Sequence, residues 1–255
     1  MEEQLKLIEN LEKVLPKDSK ILIMQDYYNL PAVIVADFDS DSEVEIAVAH
    51  TLKNQKNKVC ISLIKYNNGT WRVIDTIVLD GIGITDLLAA ATQKKERIDI
   101  IVGSKVEKDK SILKVFQVDK SKLKHILNED AKYSKLEVGN VKSNGEYDGI
   151  NEIALWNKDK MDAYDIEIYR IKDGRLVKAE DAEEDYFKDI VKYYEEIIEY
   201  QGVNNTYLYH LALSEYKSRD YLSALNTLNS IEGFVDSEYS EKVRVLRNNI
   251  NNKLI

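Results

Sequence analysis

Three times in this chain a single acid opens a short apolar run, and the copies stand at nearly constant spacing. The runs are Glu45-Ile46-Ala47-Val48, Asp99-Ile100-Ile101-Val102 and Glu152-Ile153-Ala154-Leu155, with acids 54 and 53 residues apart. Each is followed by a second apolar run and then a turn signal: Asn68-Gly69, Lys120-Ser121 and Asp173-Gly174. The turns fall 24, 22 and 22 residues after their acids, and a third strand follows each. A unit of about fifty residues and about four strands is the size of a propeller blade. The expectation is a sheet unit copied three times, keyed by an acid at the head of its second strand. An ordinary β-meander with coincidental spacing is the alternative.

Three such units are fewer than the about four to eight of a closed ring. The expected class is therefore α+β: mainly antiparallel β, with three propeller-blade-like repeats in an incomplete or open β-propeller, plus C-terminal α-helical hairpins. A degenerate fourth unit near residues 20–35 would extend the array. Strands are expected at 32–36, 44–49, 59–65, 71–78, 98–103, 112–118, 152–156 and 165–171, many alternating apolar and polar.

Helical periodicity flanks this region. Leu5, Ile8, Leu11, Val14 and Leu15 recur at helical spacing before Pro16. Segment 185–200 stacks Phe187, Ile190, Val191, Tyr194, Ile197 and Ile198 on one face, and Gly202 ends it. Helices are also expected at 206–217, 220–231 and 237–254. Leu211-Ala212, Tyr216, Asp220-Tyr221, Ala224 and Leu228 match a tetratricopeptide-type hairpin, although a peptide groove needs several stacked repeats. The expected organisation is an N-terminal helix (1–19), a repeat domain (20–181) and a helical, tetratricopeptide-like region (182–255).

Composition bounds the function. The chain has 255 residues, 44% apolar and 32% charged, with a formal net charge of -9. An acidic surface repels phosphate backbones, so no nucleic-acid partner is expected. No run of about 18 apolar residues occurs, so no transmembrane segment is expected. Only Cys60 is present, which excludes an intramolecular disulfide and a cysteine-rich metal site.

The best candidate for chemistry is 37–45 (DFDSDSEVE). Asp37, Asp39, Asp41 and Glu45 sit at positions 1, 3, 5 and 9, where alternating carboxylates converge on one hard cation, Ca2+ above all. The loop precedes a strand and lacks the EF-hand glycine and position-12 glutamate. A solvated acidic turn is the alternative. The corresponding second loop has Ala91, Gln93 and Lys95 before Asp99. The third has Asn140, Asn144 and Asp148 before Glu152, in a loop three or four residues longer.

The pattern D-x-D-x-D-S-x-x-E-I-A-V, followed by a K-Y-N-N-G-x-W hairpin, resembles FG-GAP/VCBS-type repeats. Residues 11–22, the three repeats and 166–174 resemble those of Gram-positive bacterial lipoproteins that carry such repeats. The resemblance spans roughly residues 9–180. It implies a propeller-like fold, calcium at Asp37, Asp39, Asp41 and Glu45, and export to the cell envelope, with a lipid anchor in a longer form. Two of the three loops have lost most of these ligands, and this chain has no lipid-accepting N-terminal cysteine.

Catalytic patterns are weak. His50, His125 and His210 are far apart in sequence and are expected at surface or half-buried positions. No G-x-S-x-G elbow, P-loop or G-x-G-x-x-G occurs, and Gly81-Ile82-Gly83 reads as a turn. Cys60 reads as a buried, inert thiol. Tyr27, Tyr28, Trp71 and Trp156 are candidates for stacking a sugar or clamping a peptide, with core packing favoured for the tryptophans. The expected function is a non-enzymatic binding or scaffolding module of the cell surface, with a protein or carbohydrate ligand. A tetratricopeptide-like adaptor and a carboxylate-dependent hydrolase are the alternatives, and a cytoplasmic location stays open.

Overall fold

The computed structural model describes residues 2–24, 29–53, 55–143, 145–231 and 237–255. Tyr27, Tyr28 and Asn144 lie outside the described residues. The elements in chain order are α1 (Glu2–Val14), β1 (Ser19–Ile21), β2 (Ile23–Met24), β3 (Leu30–Pro31), β4 (Val33–Ala36), β5 (Glu45–Leu52), β6 (Lys58–Asn67), β7 (Thr70–Asp80), β8 (Gly83–Ala90), β9 (Asp99–Glu107), β10 (Lys110–Asp119), β11 (Lys122–His125), β12 (Ala131–Tyr133), β13 (Lys135–Gly139), β14 (Glu152–Lys158), β15 (Tyr164–Lys172), β16 (Arg175–Lys178), α2 (Glu180–Gln201), α3 (Asn205–Lys217), α4 (Tyr221–Asn229) and α5 (Ser237–Leu254). The class is α+β, mainly antiparallel β.

Three main sheets follow one another along the chain. The first has β4 and β1 on β5, then β6 and β7; the second runs β8-β9-β10-β11, with β12 also on β10; the third runs β13-β14-β15-β16. Glu45, Asp99 and Glu152 are the first residues of β5, β9 and β14, each the second strand of its sheet. The chain divides into two compact units. The first holds Met1–Gly139, Gly149–Leu155 and Tyr169–Val177; the second holds Asn140–Asp148, Trp156–Ile168 and Lys178–Ile255.

Within the first unit, alternation sorts the side chains. Ala47, Ala49, Ile61 and Leu63 of the first sheet pack with Ile100, Val102, Phe116 and Val118 of the second. Ile101, Leu113 and Val115 leave the opposite face of the second sheet and pack with Ile153, Leu155 and Ile171 of the third. Ile46, Val48 and Ile64 point away from the second sheet and are covered by Leu11 and Leu15, at the end of α1 and just beyond it. Central strands are thus buried on both faces, so they read as continuous apolar runs. Hydrogen bonds also link the sheets: Leu123 N–H donates to the Asp75 carboxylate at Oδ2 (2.8 Å), and Asn128 N–H donates to Gly174 O (2.8 Å).

The three turns share one geometry. Asn68 and Gly69 have φ of 49° and 81°, Lys120 and Ser121 have 49° and 62°, and Asp173 and Gly174 have 49° and 74°. Two consecutive positive φ values make the tight turn whose twist suits a two-residue hairpin. Strand β8 is the main element absent from the sequence reading. Its Gly-Ile-Thr-Asp-Leu-Leu-Ala-Ala lacks clean alternation, and Gly83 begins it instead of belonging to a turn. Pairing to β9 imposes the strand, with a register shift between Ile84 and Asp86.

In the second unit, helices α2 to α5 pack in succession. Asn204 caps α3 by accepting Tyr207 N–H (2.9 Å), and Asp220 caps α4 by accepting Ser223 N–H (3.1 Å). Ala212 and Ala224 are both fully buried, as a close crossing of α3 and α4 requires. Trp156 is buried with its indole N–H on Tyr186 Oη (2.8 Å), which makes it a core residue.

The turn geometry predicts unequal effects of alanine. At Gly69 a Cβ would meet nothing within 4 Å, so only the left-handed backbone is penalised. At Gly174 a Cβ would lie 2.8 Å from Ile126 O as well. Gly69→Ala is expected to cost about 1 kcal/mol, and Gly174→Ala about 2–3 kcal/mol. Urea unfolding of the two variants checks this order.

Candidate functional site

The loop between β4 and β5 brings Asp37, Asp39 and Glu45 together, with one carboxylate oxygen from each within 4.8 Å of the others. Of the four carboxylates singled out in the sequence, these three lie together. Asp41 is exposed and lies outside the group. Both oxygens of Asp37 are committed to the turn: Oδ1 accepts Asp41 N–H (3.1 Å) and Oδ2 accepts Ser42 N–H (2.9 Å). Ser40 and Ser42 take φ of 60° and 73°, which folds the loop back on Asp37. Glu45 is fully buried and accepts Phe38 N–H at Oε2 (2.9 Å).

A side-chain cation already stands among these carboxylates. Lys65 Nζ is 2.9 Å from Asp39 Oδ2, 2.5 Å from Asp41 Oδ2 and 2.7 Å from Glu45 Oε1. Lys65 lies directly across from Glu45 in the β5–β6 register. Burial opposes its charge, but hydrogen bonds to Asp41, Glu45 and Asp39 outweigh that and hold the ammonium above the ordinary lysine range. The bond to Lys65 likewise holds Asp41 below the usual carboxylate range. Asp39 Oδ1 is buried without a hydrogen bond. The donor set is all oxygen and suits a hard cation, but one entering here must displace the ammonium.

The other two acids meet different partners at the same place, and Asp99 keeps Oδ1 buried without a hydrogen bond. Asp99 Oδ2 accepts the backbone N–H (3.2 Å) and hydroxyl (2.5 Å) of Thr92. Glu152 Oε1 meets the Arg170 guanidinium, with Nε at 2.8 Å and Nη2 at 2.7 Å. The β4–β5 and β8–β9 loops both place the donating residue seven positions before the acid: Phe38 to Glu45 and Thr92 to Asp99. Lys65 and Arg170 escaped the sequence reading because they lie on the strand after the acid. The one available signal was a basic residue 20 or 18 positions downstream of each glutamate.

A second group of potential ligands lies in the second unit: Asp159, Asp165 and His210, again within 4.8 Å. No local pattern joins them in sequence. His210, expected at a surface or half-buried position, is 1% exposed and bonded through Nε2 to Asp159 Oδ2 at 3.0 Å. His50 is also fully buried, with Nε2 2.8 Å from Ser62 Oγ. Burial pushes its imidazole below the usual histidine range. The pair has a serine–histidine form, yet both residues are fully enclosed, so a substrate has no access. His125 is exposed. Cys60 is buried, and burial pushes its thiol up, away from reactivity.

Trp71, favoured from sequence as a core residue, is 39% exposed. It pairs across the β6–β7 hairpin with half-exposed Tyr66, ring centroids 5.2 Å apart. A hollow of about 390 Å3 is lined by Ile34 of β4, Leu87 and Leu88 of β8, Val138 of β13 and Asn151. Glu215 on α3 is 8% exposed, and burial pushes its carboxyl up to about 7. Among the described residues, no helix is long and apolar enough to cross a membrane. No protein-family model matches the chain, and no curated protein matches it.

Two predictions follow from these charges. Lys65→Met leaves Glu45 buried without its cation, and such losses cost about 3–5 kcal/mol; denaturant unfolding at pH 7 reads it. Glu215 binds its proton more tightly folded than unfolded, from 4.5 up to about 7. Its favourable contribution is complete below pH 4.5 and lost as pH rises through about 7. Glu215→Gln is therefore expected to raise the melting temperature at pH 8, by about 2–3 kcal/mol in stability, relative to its effect at pH 4. Paired melts at the two pH values check it.

Proposed function

We propose that this chain is a non-catalytic binding or scaffolding module of the bacterial cell envelope. Its three sheets are read as blades of an incomplete β-propeller of the FG-GAP/VCBS type. The observation that carries this is the equivalence of Glu45, Asp99 and Glu152, each buried at the head of the second strand of its sheet. The neighbourhood of the first strands supports it too. β4 packs beside β8, β8 packs beside β13, and all three line one hollow. Neighbouring inner strands around an axis are what a propeller-like array requires. Export and a lipid anchor rest on the resemblance alone.

The ligand is a protein or a carbohydrate, contacted through the exposed Tyr66–Trp71 pair. Aromatic rings left in water at a hairpin tip contribute large contact area at low entropic cost. Calcium enters this reading as a competitor of Lys65 for Asp39 and Glu45, with Asp37 holding the turn. The tetratricopeptide-like adaptor is less favoured because Tyr207–Ala212 of α3 are all buried, which leaves that stretch no groove face.

The test is a glycan array and an envelope-extract pull-down with wild type and Trp71→Ala. Trp71→Ala is expected to fold normally and lose the captured ligand. Capture unchanged by Trp71→Ala removes the aromatic pair from the reading, and no ligand in either screen removes the binding role. Calcium is expected to raise the melting temperature of Lys65→Met more than that of wild type. No shift in either protein, or in Asp39→Ala, makes the loop a turn only.

A further inference from the structure

Within the first unit, the two ends of the sheets carry different charges. Strands β5, β7 and β9 finish at one end, and β6, β8 and β10 start there. Two hydrogen bonds hold that end together: Gly81 N–H donates to Asn57 O (3.0 Å), and Ile82 N–H donates to Lys105 O (2.7 Å). The β7–β8 connection is thus fixed between the β5–β6 and β9–β10 turns. The first turn and its flanks bring Lys53, Lys56 and Lys58, and the second brings Lys105, Lys108 and Lys110. Against these six lysines stand three acids, Asp80, Glu107 and Asp109. Asp80 is paired with Lys58 (2.5 Å), and Glu107 lies 3.9 Å from Lys110. Among the described residues, Lys53, Lys56, Lys105 and Lys108 have no ion-pair partner.

The opposite end of the first sheet holds the acidic loop 37–45 and the Tyr66–Trp71 hairpin. Strand β6 runs from one end to the other over 10 residues, which spans about 30 Å. Lysines occur at this far end too, Lys94 and Lys124 among them. There they share the surface with acids: Ser40 Oγ donates to Glu96 O (3.5 Å) and joins the acidic loop to the β8–β9 loop. Exposed charges further apart than about 8 Å are largely screened at physiological salt. The lysine end therefore acts as a local positive surface although the whole chain carries -9.

We propose that the lysine end of the first two sheets docks on an anionic lipid surface. A lysine ammonium is a point charge on a flexible stem, which suits a plane of phosphate headgroups better than one oriented anion. Each lysine held near such a plane strengthens partitioning about fivefold. Ile82, 59% exposed between the two turns, adds a shallow apolar contact. The charges also set the orientation. The lysine end faces the lipid, the aspartates of 37–45 are repelled from it, and the Tyr66–Trp71 hairpin is held about 30 Å out. Docking goes beyond the ligand surface at Trp71 and does not depend on it.

The experiment sediments the full chain with vesicles of phosphatidylglycerol and phosphatidylcholine in equal parts, at about 0.1 M salt. Binding is expected to these vesicles and not to pure phosphatidylcholine, with release at about 1 M salt. Lys56→Glu with Lys108→Glu is expected to weaken partitioning by more than about tenfold. Lys94→Glu with Lys124→Glu changes the net charge equally and is expected to leave it unchanged. All four side chains are exposed, so both variants keep the fold. Trp71→Ala is expected to sediment as wild type does. Failure to bind the anionic vesicles overturns the proposal, as does an equal loss in the two double variants. Capture by soluble polyphosphate without vesicle binding assigns the lysines to a polymer and overturns it too.

Discussion

The structure turns on a carboxylate taken out of water at the head of the second strand of each sheet. A buried, unpaired carboxylate is too costly to keep, so each copy supplies a partner within the fold. In the first sheet the partner is Lys65 together with a backbone N–H from Phe38. In the second it is Thr92, by backbone and hydroxyl. In the third it is Arg170. In the first two sheets the acid pins the preceding loop to its strand, and in the first and third it pairs with a cation on the next strand. Stacked sheets with both faces covered tolerate little slippage, because a one-residue shift would turn every core side chain outward.

This solution separates the architecture of the repeat from metal dependence. A loop of alternating aspartates invites a hard cation, and Lys65 provides a positive charge on a tether. Thr92 meets Asp99 with uncharged donors, and the Arg170 guanidinium gives Glu152 a fixed cation. One geometric demand is met by three chemistries, so the three loops differ in sequence although each leads to a strand-opening acid. His210 likewise is buried between two carboxylates, with Asp159 3.0 Å from Nε2 and Asp165 4.0 Å from Nδ1.

Helices α2 to α5 were legible in the sequence, since their apolar stripes repeat at helical spacing and Gly202 and Asp220 mark two of their ends. The central strands were legible because burial on both faces writes continuous apolar runs at 46–49, 100–102 and 153–156. Strand β8 was not, because Leu87-Leu88-Ala89-Ala90 has no intrinsic preference for a strand and takes its form from β9. Trp71 and His210 were misplaced for a related reason: exposure depends on which face a neighbour covers, and the residue type does not record that.

What the sequence determined by itself is the repeat: its spacing, its acids, its turns and the change from strand to helical period. These are local or evenly spaced signals, set by backbone geometry and side-chain alternation. Only the tertiary structure decided which charge meets which. Lys65 reaches Glu45, and Asp159, Asp165 and His210 come within 4.8 Å of one another, because strand register and helix packing bring distant residues together. Electrostatic partners are chosen in three dimensions, where a few ångströms and the loss of water set the energy of a charge.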